Sequence, residues 1–225
     1  MVITTSTYSD PGNDKRVFIF YQSNSGTLNA PVKFTASGSP TSVDIADLNN
    51  DGLPDIIVGN KNPGSIEIFL QNQSGAFVST YTFATQQSYL IRTGDLNSDG
   101  LTDFTGIGWS TKRVDVYLQQ ASGGFALANS YAANYEGYND LEVGDINADG
   151  KADIVVSSGQ GFTDNIHLLF QNNDHFFDPV RSYIINQNTL PHGVTIGDVT
   201  ADSRADVVIT YGGNMPSSCI GIFAQ

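Results

Sequence analysis

The sequence predicts an all-β repeat protein built from four-stranded antiparallel units, and three observations predict it. A nine-residue, Asp-rich stretch returns four times along the 225 residues. An apolar stretch ending in glutamine returns five times, interleaved with those copies. No stretch carries the apolar period of a helix, and spacings near 50 residues are those of repeat architectures.

The Asp-rich stretch reads Asp47-Leu48-Asn49-Asn50-Asp51-Gly52-Leu53-Pro54-Asp55. It recurs from Asp95 to Asp103 and from Asp145 to Asp153, and in worn form from Asp198 to Asp206. The first aspartates lie 48, 50 and 53 residues apart. Oxygen side chains at positions 1, 3 and 5 of a tight loop converge on one centre. Glycine at position 6 permits the sharp turn, and the main-chain carbonyl of residue 7 adds another oxygen. That donor set suits a hard cation such as calcium. The candidate ligands are therefore Asp47, Asn49, Asp51, Leu53 (carbonyl) and Asp55; Asp95, Asn97, Asp99, Leu101 (carbonyl) and Asp103; and Asp145, Asn147, Asp149, Lys151 (carbonyl) and Asp153. The fourth set is Asp198, Thr200, Asp202, Arg204 (carbonyl) and Asp206, with Thr200 at position 3 and Ser203 in place of glycine. Asp/Asn/Gly turns also form without a metal. A single copy leaves that reading open; three near-identical copies with carboxylates at 1, 5 and 9 favour the ion, and the fourth remains undecided.

The elements around the loop follow in order. Strand A precedes it, as in Ser42–Leu48. Strand B follows it, because Ile56-Ile57-Val58, Ile154-Val155-Val156 and Val207-Val208-Ile209 are β-branched runs. An EF-hand would continue into a helix here and would carry a glutamate at position 12, where this chain has Val58, Gly106, Val156 and Ile209. Strand C ends in glutamine, in Val17–Gln22, Ile66–Gln71, Val114–Gln119, Ile166–Gln171 and Ile220–Gln225. A turn follows at Gly26, Gly75, Gly123 and His175. Strand D then carries Leu28, Phe77, Phe125 and Phe177, and six residues later Phe34, Phe83, Tyr131 and Tyr183. Aromatics at so constant a register are expected in the core. Four strands per period point to blades of a β-propeller.

Asp-x-Asn-x-Asp-Gly-x-x-Asp running into a β-branched strand, then a Gly-x-Phe turn (Gly75-Ala76-Phe77, Gly123-Gly124-Phe125), resembles the FG-GAP/VCBS repeat. That repeat builds the calcium-binding propellers of integrin α subunits and of many secreted or surface proteins. The resemblance covers nearly the whole chain. It implies calcium at Asp47, Asn49, Asp51 and Asp55 and at their equivalents in the next two blades. Integrin-type propellers usually have seven blades, more than this chain supplies.

The periods run approximately 2–54, 55–102, 103–152 and 153–205, with a partial one at 206–225. Val2-Ile3-Thr4-Thr5 resembles strand B at Val207–Thr210, so the chain opens on B and closes on C. The count is 18 strands, four full repeats plus an extra strand pair. The expectation is a piece of a longer propeller, or a ring closed by further blades or by another chain.

Net charge is −13, and the 12 aspartates at loop positions 1, 5 and 9 account for all but −1 of it. Such acidity tells against nucleic acid and anionic membranes. Cys219 is the only cysteine, so no internal disulfide forms. The first residues are too polar to open a signal peptide, and no run reaches membrane-spanning length. Asn72-Gln73-Ser74 is a possible glycosylation sequon. His167, His175 and His192 are assigned to a strand, a turn and a loop without metalloprotease spacing. No Gly-x-Ser-x-Gly elbow or phosphate loop is present, so the chain is read as non-catalytic.

Antiparallel order puts the Asp loops and the C–D turns at one end of each blade. The B–C and D–A loops share the other end, where length and sequence vary as recognition surfaces do. These loops hold Tyr89, Trp109, Tyr135, Tyr138, Phe162, His192, Tyr211 and Met215. Exposed aromatics suit sugar rings and protein hot spots; the competing reading is that several fold back over blade ends. The expected function is an extracellular or cell-surface module, braced by calcium, that binds a protein or glycan at this end. The rival expectation is an accessory or catalytic part of a larger secreted hydrolase or lyase.

Overall fold

The computed structural model describes residues 1–4, 15–85, 89–108, 112–132, 137–159, 164–186, 190–212 and 219–223. Within them the backbone forms 18 β-strands and no helix. In chain order these are β1 (Val2–Thr4), β2 (Arg16–Ile19), β3 (Val32–Thr35), β4 (Pro40–Ala46), β5 (Asp55–Lys61), β6 (Gly64–Gln71), β7 (Phe77–Ala84), β8 (Tyr89–Gly94) and β9 (Asp103–Gly108). They continue as β10 (Arg113–Gln119), β11 (Phe125–Ala132), β12 (Tyr138–Gly144), β13 (Asp153–Ser158), β14 (Asp164–Leu169), β15 (Arg181–Asn186), β16 (Leu190–Gly197), β17 (Asp206–Gly212) and β18 (Cys219–Phe223). Consecutive strands pair into five sheets, β1–β3, β4–β7, β8–β11, β12–β15 and β16–β18. The strand pairings resolved residue by residue are antiparallel, as short connections between neighbouring strands require.

The strand number is the one expected, but the grouping differs. Three sheets have four strands in the order A–B–C–D; they are flanked by a B–C–D triplet and an A–B–C triplet. The four-repeats-plus-pair count therefore resolves as three full and two three-stranded sheets. Each sequence period ends between A and B, inside a sheet, because those two strands hydrogen-bond to each other across the Asp loop.

Burial follows strand position. All described residues of β9 and β13 are buried, and β5 is buried up to Asn60. β5 and β13 are thus covered on both faces, which is why they read as unbroken β-branched runs rather than alternating ones. The D strands β3, β7 and β11 are largely exposed.

The chain divides into two compact units, Met1–Ile91 and Arg92–Gln225. In the first, Val17, Ile19 and Ala36 of the first sheet pack on Ile56, Val58 and Phe69 of the second. The Phe34 ring lies 4.6 Å from Phe69 and 6.0 Å from Phe77. Glu67, buried nearby, accepts the Ser37 N–H at 2.8 Å and the Ser79 hydroxyl at 2.9 Å. In the second unit, Ile146, Val155 and Ile166 pack on Val194, Val207, Ile209 and Tyr211. Phe104 stacks on Tyr117 at 4.6 Å, and Tyr131 meets Phe177 edge-on at 5.6 Å. Of the register positions expected in the core, Phe177 is buried, Phe34, Phe77, Phe83, Phe125 and Tyr131 are half-buried at its margin, and Leu28 and Tyr183 are 52% and 48% exposed.

The A strands of the second unit approach closely where glycine precedes the Asp loop. A Cβ on Gly94 would fall 2.7 Å from Val143 Cγ1, and one on Gly144 would fall 3.2 Å from Ile196 Cδ1. Arg92 on β8 bridges Asp140 (3.2 Å) and Glu142 (3.3 Å) on β12, and Asp140 in turn accepts the Val194 N–H of β16 at 3.1 Å.

His167 on β14 is sealed between Ser158 Oγ, 2.7 Å from Nε2, and Ser182 Oγ, 2.9 Å from Nδ1. Burial lowers its pKa to about 4, from an ordinary value of about 6.5. The unfolded chain thus binds the extra proton between those values, and stability falls as pH drops through that window. Thermal unfolding from pH 7 to pH 4.5 is expected to show the wild type losing stability relative to His167→Gln. A constant difference between the two proteins would refute the assignment.

Candidate functional site

The Asp loop is built by its own side chains. Asp47 Oδ1 accepts the Asp51 N–H at 3.1 Å and Oδ2 accepts the Gly52 N–H at 2.8 Å. Asn49 Oδ1 also accepts the Asp51 N–H (3.0 Å), and Asp51 Oδ1 accepts the Leu53 N–H (2.9 Å). The same bonds recur around Asp95, Asn97 and Asp99, and around Asp145, Asn147 and Asp149. Short Asx-type bonds of this kind are what Asp and Asn supply in turns. They turn the side chains at positions 1, 3 and 5, which are exposed or half-buried, inward over the loop.

Position 9 is different. Asp55, Asp103, Asp153 and Asp206 are all 0% exposed. Asp55 Oδ2 accepts the Leu48 N–H (2.8 Å), and Oδ1 accepts the N–H of Gln71 (2.7 Å) at the end of strand C. Asp103 does the same with Leu96 and Gln119, and Asp153 with Ile146 and Gln171. The periodic glutamine thus marks the residue whose main-chain N–H reaches the loop, a role its side chain did not announce.

Two residues per loop lie in the left-handed region. Position 4 has φ of 59° at Asn50, 60° at Ser98, 59° at Ala148 and 60° at Ala201; position 6 has 83° at Gly52, 84° at Gly100, 84° at Gly150 and 69° at Ser203. A Cβ at Gly52, Gly100 or Gly150 would meet nothing within 4 Å, so glycine is there for conformation and not for space.

The charges are crowded. One carboxylate oxygen each from Asp95, Asp99 and Asp103 lies within 4.8 Å of the others. Burial, then the Asp99 and Asp95 charges, push Asp103 up to about 7 against its two N–H bonds. Burial and the Asp149 charge likewise push Asp153 up to about 6, and burial raises Asp55. At Asp149 burial pushes upward too. The Lys151 N–H and ammonium, with Asn147, outweigh it and hold that carboxyl below the ordinary range. Converging carboxylates, one of them desolvated, with an amide oxygen beside them form an all-oxygen donor set that fits a hard divalent cation.

The fourth loop keeps the first bonds, Asp198 to the Asp202 and Ser203 N–H groups. It diverges at position 9, where Asp206 Oδ2 accepts the Val199 and Thr200 N–H groups and the Thr200 hydroxyl. Val199 is 54% exposed, whereas Leu48, Leu96 and Ile146 are buried.

The opposite end holds few of the expected ligand residues in described positions. Trp109, Tyr135, Phe162 and Met215 lie outside the described residues. Tyr89 and Tyr138 open β8 and β12 instead of sitting in loops. His192 is in β16, exposed, at the bulge between Pro191 and Gly193, and its ring lies against Gly212, where a Cβ would collide with Cδ2. Tyr211 is a correction: it lies in β17 and is 7% exposed. Pairing of β17 with β16 runs on to Gly212, and strand alternation puts Tyr211 on the same face as Ile209 and Val207 in the core.

Four overlapping stretches, 2–58, 47–105, 95–156 and 145–209, match the model of the FG-GAP-like repeat. Consecutive stretches overlap in an Asp loop and the start of the B strand after it. No curated protein matches the chain. Among solved structures it is similar to the crystal structure of a functionally unknown protein from Desulfotomaculum acetoxidans DSM 771, with 14% identity and a TM-score of 0.62. That match covers 100% of this chain and 65% of the other, so the chain spans less than two thirds of its length. At such identity the likeness speaks to the fold alone.

The left-handed positions generate a paired test. Ser203→Gly is expected to stabilise the protein by about 1 kcal/mol, and Gly100→Ala to destabilise it by about the same amount, the usual cost of a side chain in this region. Urea unfolding of both variants checks this; a Ser203→Gly midpoint at or below the wild type would contradict it.

Proposed function

We propose a function for a chain that belongs to the FG-GAP-like repeat family: a non-catalytic binding module whose sheets are β-propeller blades braced by calcium. The observation that carries this reading is the threefold recurrence of one loop with the same main-chain bonds and a buried carboxylate at position 9, with the carboxylates at positions 1, 5 and 9 converging within 4.8 Å in the loop at 95–103. Asp47, Asn49, Asp51, Asp55 and the Leu53 carbonyl, with their equivalents in the loops at 95–103 and 145–153, would hold the ion. Calcium supplies the positive charge that offsets the repulsion among these carboxylates. The fourth loop keeps the position 1 and 5 geometry and is proposed as a weaker site.

The chain's own bonds support the bracing reading. The position 9 carboxylate grips the loop through one oxygen and strand C through the other. A cation drawn to that carboxylate therefore tightens three strands at once. Loops of this charge suit the millimolar calcium outside cells, so the proposed location is extracellular or on a cell surface. The protein or glycan ligand is assigned to the end opposite the Asp loops, where His192 is exposed. The non-catalytic reading is supported by the engagement of the loop carboxylates in main-chain bonds and by the sealing of His167 between two serines.

A ligand that binds only the folded state stabilises it by mass action, about 1.4 kcal/mol per site at tenfold excess over Kd. Chelator is expected to lower the melting temperature, and millimolar calcium to restore it. An unchanged melting temperature under both treatments would defeat the bracing proposal. On a glycan and surface-protein array, saturable binding is expected that Trp109→Ala weakens without shifting the melting temperature; an array with no saturable ligand would leave the chain as a scaffold.

A further inference from the structure

The four loops are not equivalent, and beyond the fourth loop's altered position 9 the differences lie outside the repeated bonds. The loop at 95–103 is held from the following sheet. The Ser98 hydroxyl donates to Gln171 Oε1, and Gln171 Nε2 donates to the Asp95 carbonyl at 3.3 Å. His175 Nδ1 donates to the Asn97 carbonyl. Gln171 and His175 lie between β14 and β15, in the turn where the other sheets carry Gly26, Gly75 and Gly123. His175 adopts a left-handed φ of 63° that those glycines take at no steric cost. This is also the loop whose three carboxylates converge within 4.8 Å.

The loops at 145–153 and 198–206 carry a charge of their own. Lys151 Nζ lies 3.2 Å from Asp149 Oδ2, and Arg204 Nη2 lies 3.2 Å from Asp202 Oδ2. Both cations occupy position 7, where the first two loops have Leu53 and Leu101. Each sits on the position 5 carboxylate that an incoming cation must use.

Resting on the calcium reading above, we propose that the loops fill in a fixed order: 95–103 first, 47–55 next, and 145–153 and 198–206 last. Lys151 and Arg204 act as built-in competitors, and Gln171 and His175 as positioning residues for the tightest site. A loop already held in its bound form loses less freedom on binding, and so binds tighter. A positive charge a few ångströms from the ion weakens binding even in water.

The test is a calcium titration of the isotope-labelled chain followed by NMR. The amides of Gly52, Gly100, Gly150 and Ser203, each bonded to its loop's first aspartate, report the four loops separately. Gly100 is expected to saturate first, and Gly150 and Ser203 last. Lys151→Leu, which installs the residue of the first two loops, should lower the Gly150 midpoint roughly tenfold and leave Gly100 unmoved. His175→Gly, which installs the residue of the other turns, should raise the Gly100 midpoint severalfold and leave Gly150 unmoved. Four reporters moving together, or a Gly150 midpoint indifferent to Lys151→Leu, would overturn the order while leaving calcium binding intact. No movement of any reporter at millimolar calcium, with circular dichroism showing a folded chain, would overturn the calcium reading and the order together.

Discussion

A buried aspartate with both carboxylate oxygens taken up by main-chain N–H groups is the constraint on which the rest depends. At Asp55, Asp103 and Asp153 one oxygen holds the second residue of the A–B loop and the other holds the end of strand C. A carboxylate removed from water is costly unless its lone pairs are met. The strands must therefore end where these N–H groups can reach it. Loop length, strand register and the position of the C–D turn all follow from that requirement.

Packing between sheets rests on a second requirement, close approach. In the second unit Gly94 and Gly144 stand just before the Asp loops and let Val143 and Ile196 come within contact of the neighbouring backbone. The Arg92–Asp140–Val194 chain of bonds then ties β8, β12 and β16 together through half-buried groups. Within each unit, aromatic rings from a D strand reach the next sheet, as Phe34 does to Phe69 and Tyr131 to Phe177. Polar links between A strands and ring contacts from D strands thus join neighbouring sheets within a unit.

What the sequence disclosed was short-range. Asp, Asn and Gly at fixed offsets announce the loop because the bonds that shape it join residues two to seven apart. The β-branched runs announce strand B because both its faces are covered. Tyr211 and His192 were misplaced because their setting depends on how far β17 pairs with β16, which local composition does not state. The grip of Gln171 and His175 on the loop at 95–103 joins residues more than 70 positions apart, and no periodicity exposes it. The grouping of strands was hidden for another reason. A repeat has a length but no phase, so the period alone leaves open which four strands share hydrogen bonds.

That phase has a mechanical consequence. The sheet β8–β11 takes its A strand from the period 55–102 and its other three from 103–152, and β12–β15 is assembled across the next boundary in the same way. No four-stranded sheet consists of one repeat. Each period lends a strand forward, so adjacent repeats are laced together and not merely stacked. Loss of one sheet strips a strand from one period and three from the next. Melting should therefore spread along the chain as a zipper does, and a single excised period would have no complete sheet to fold.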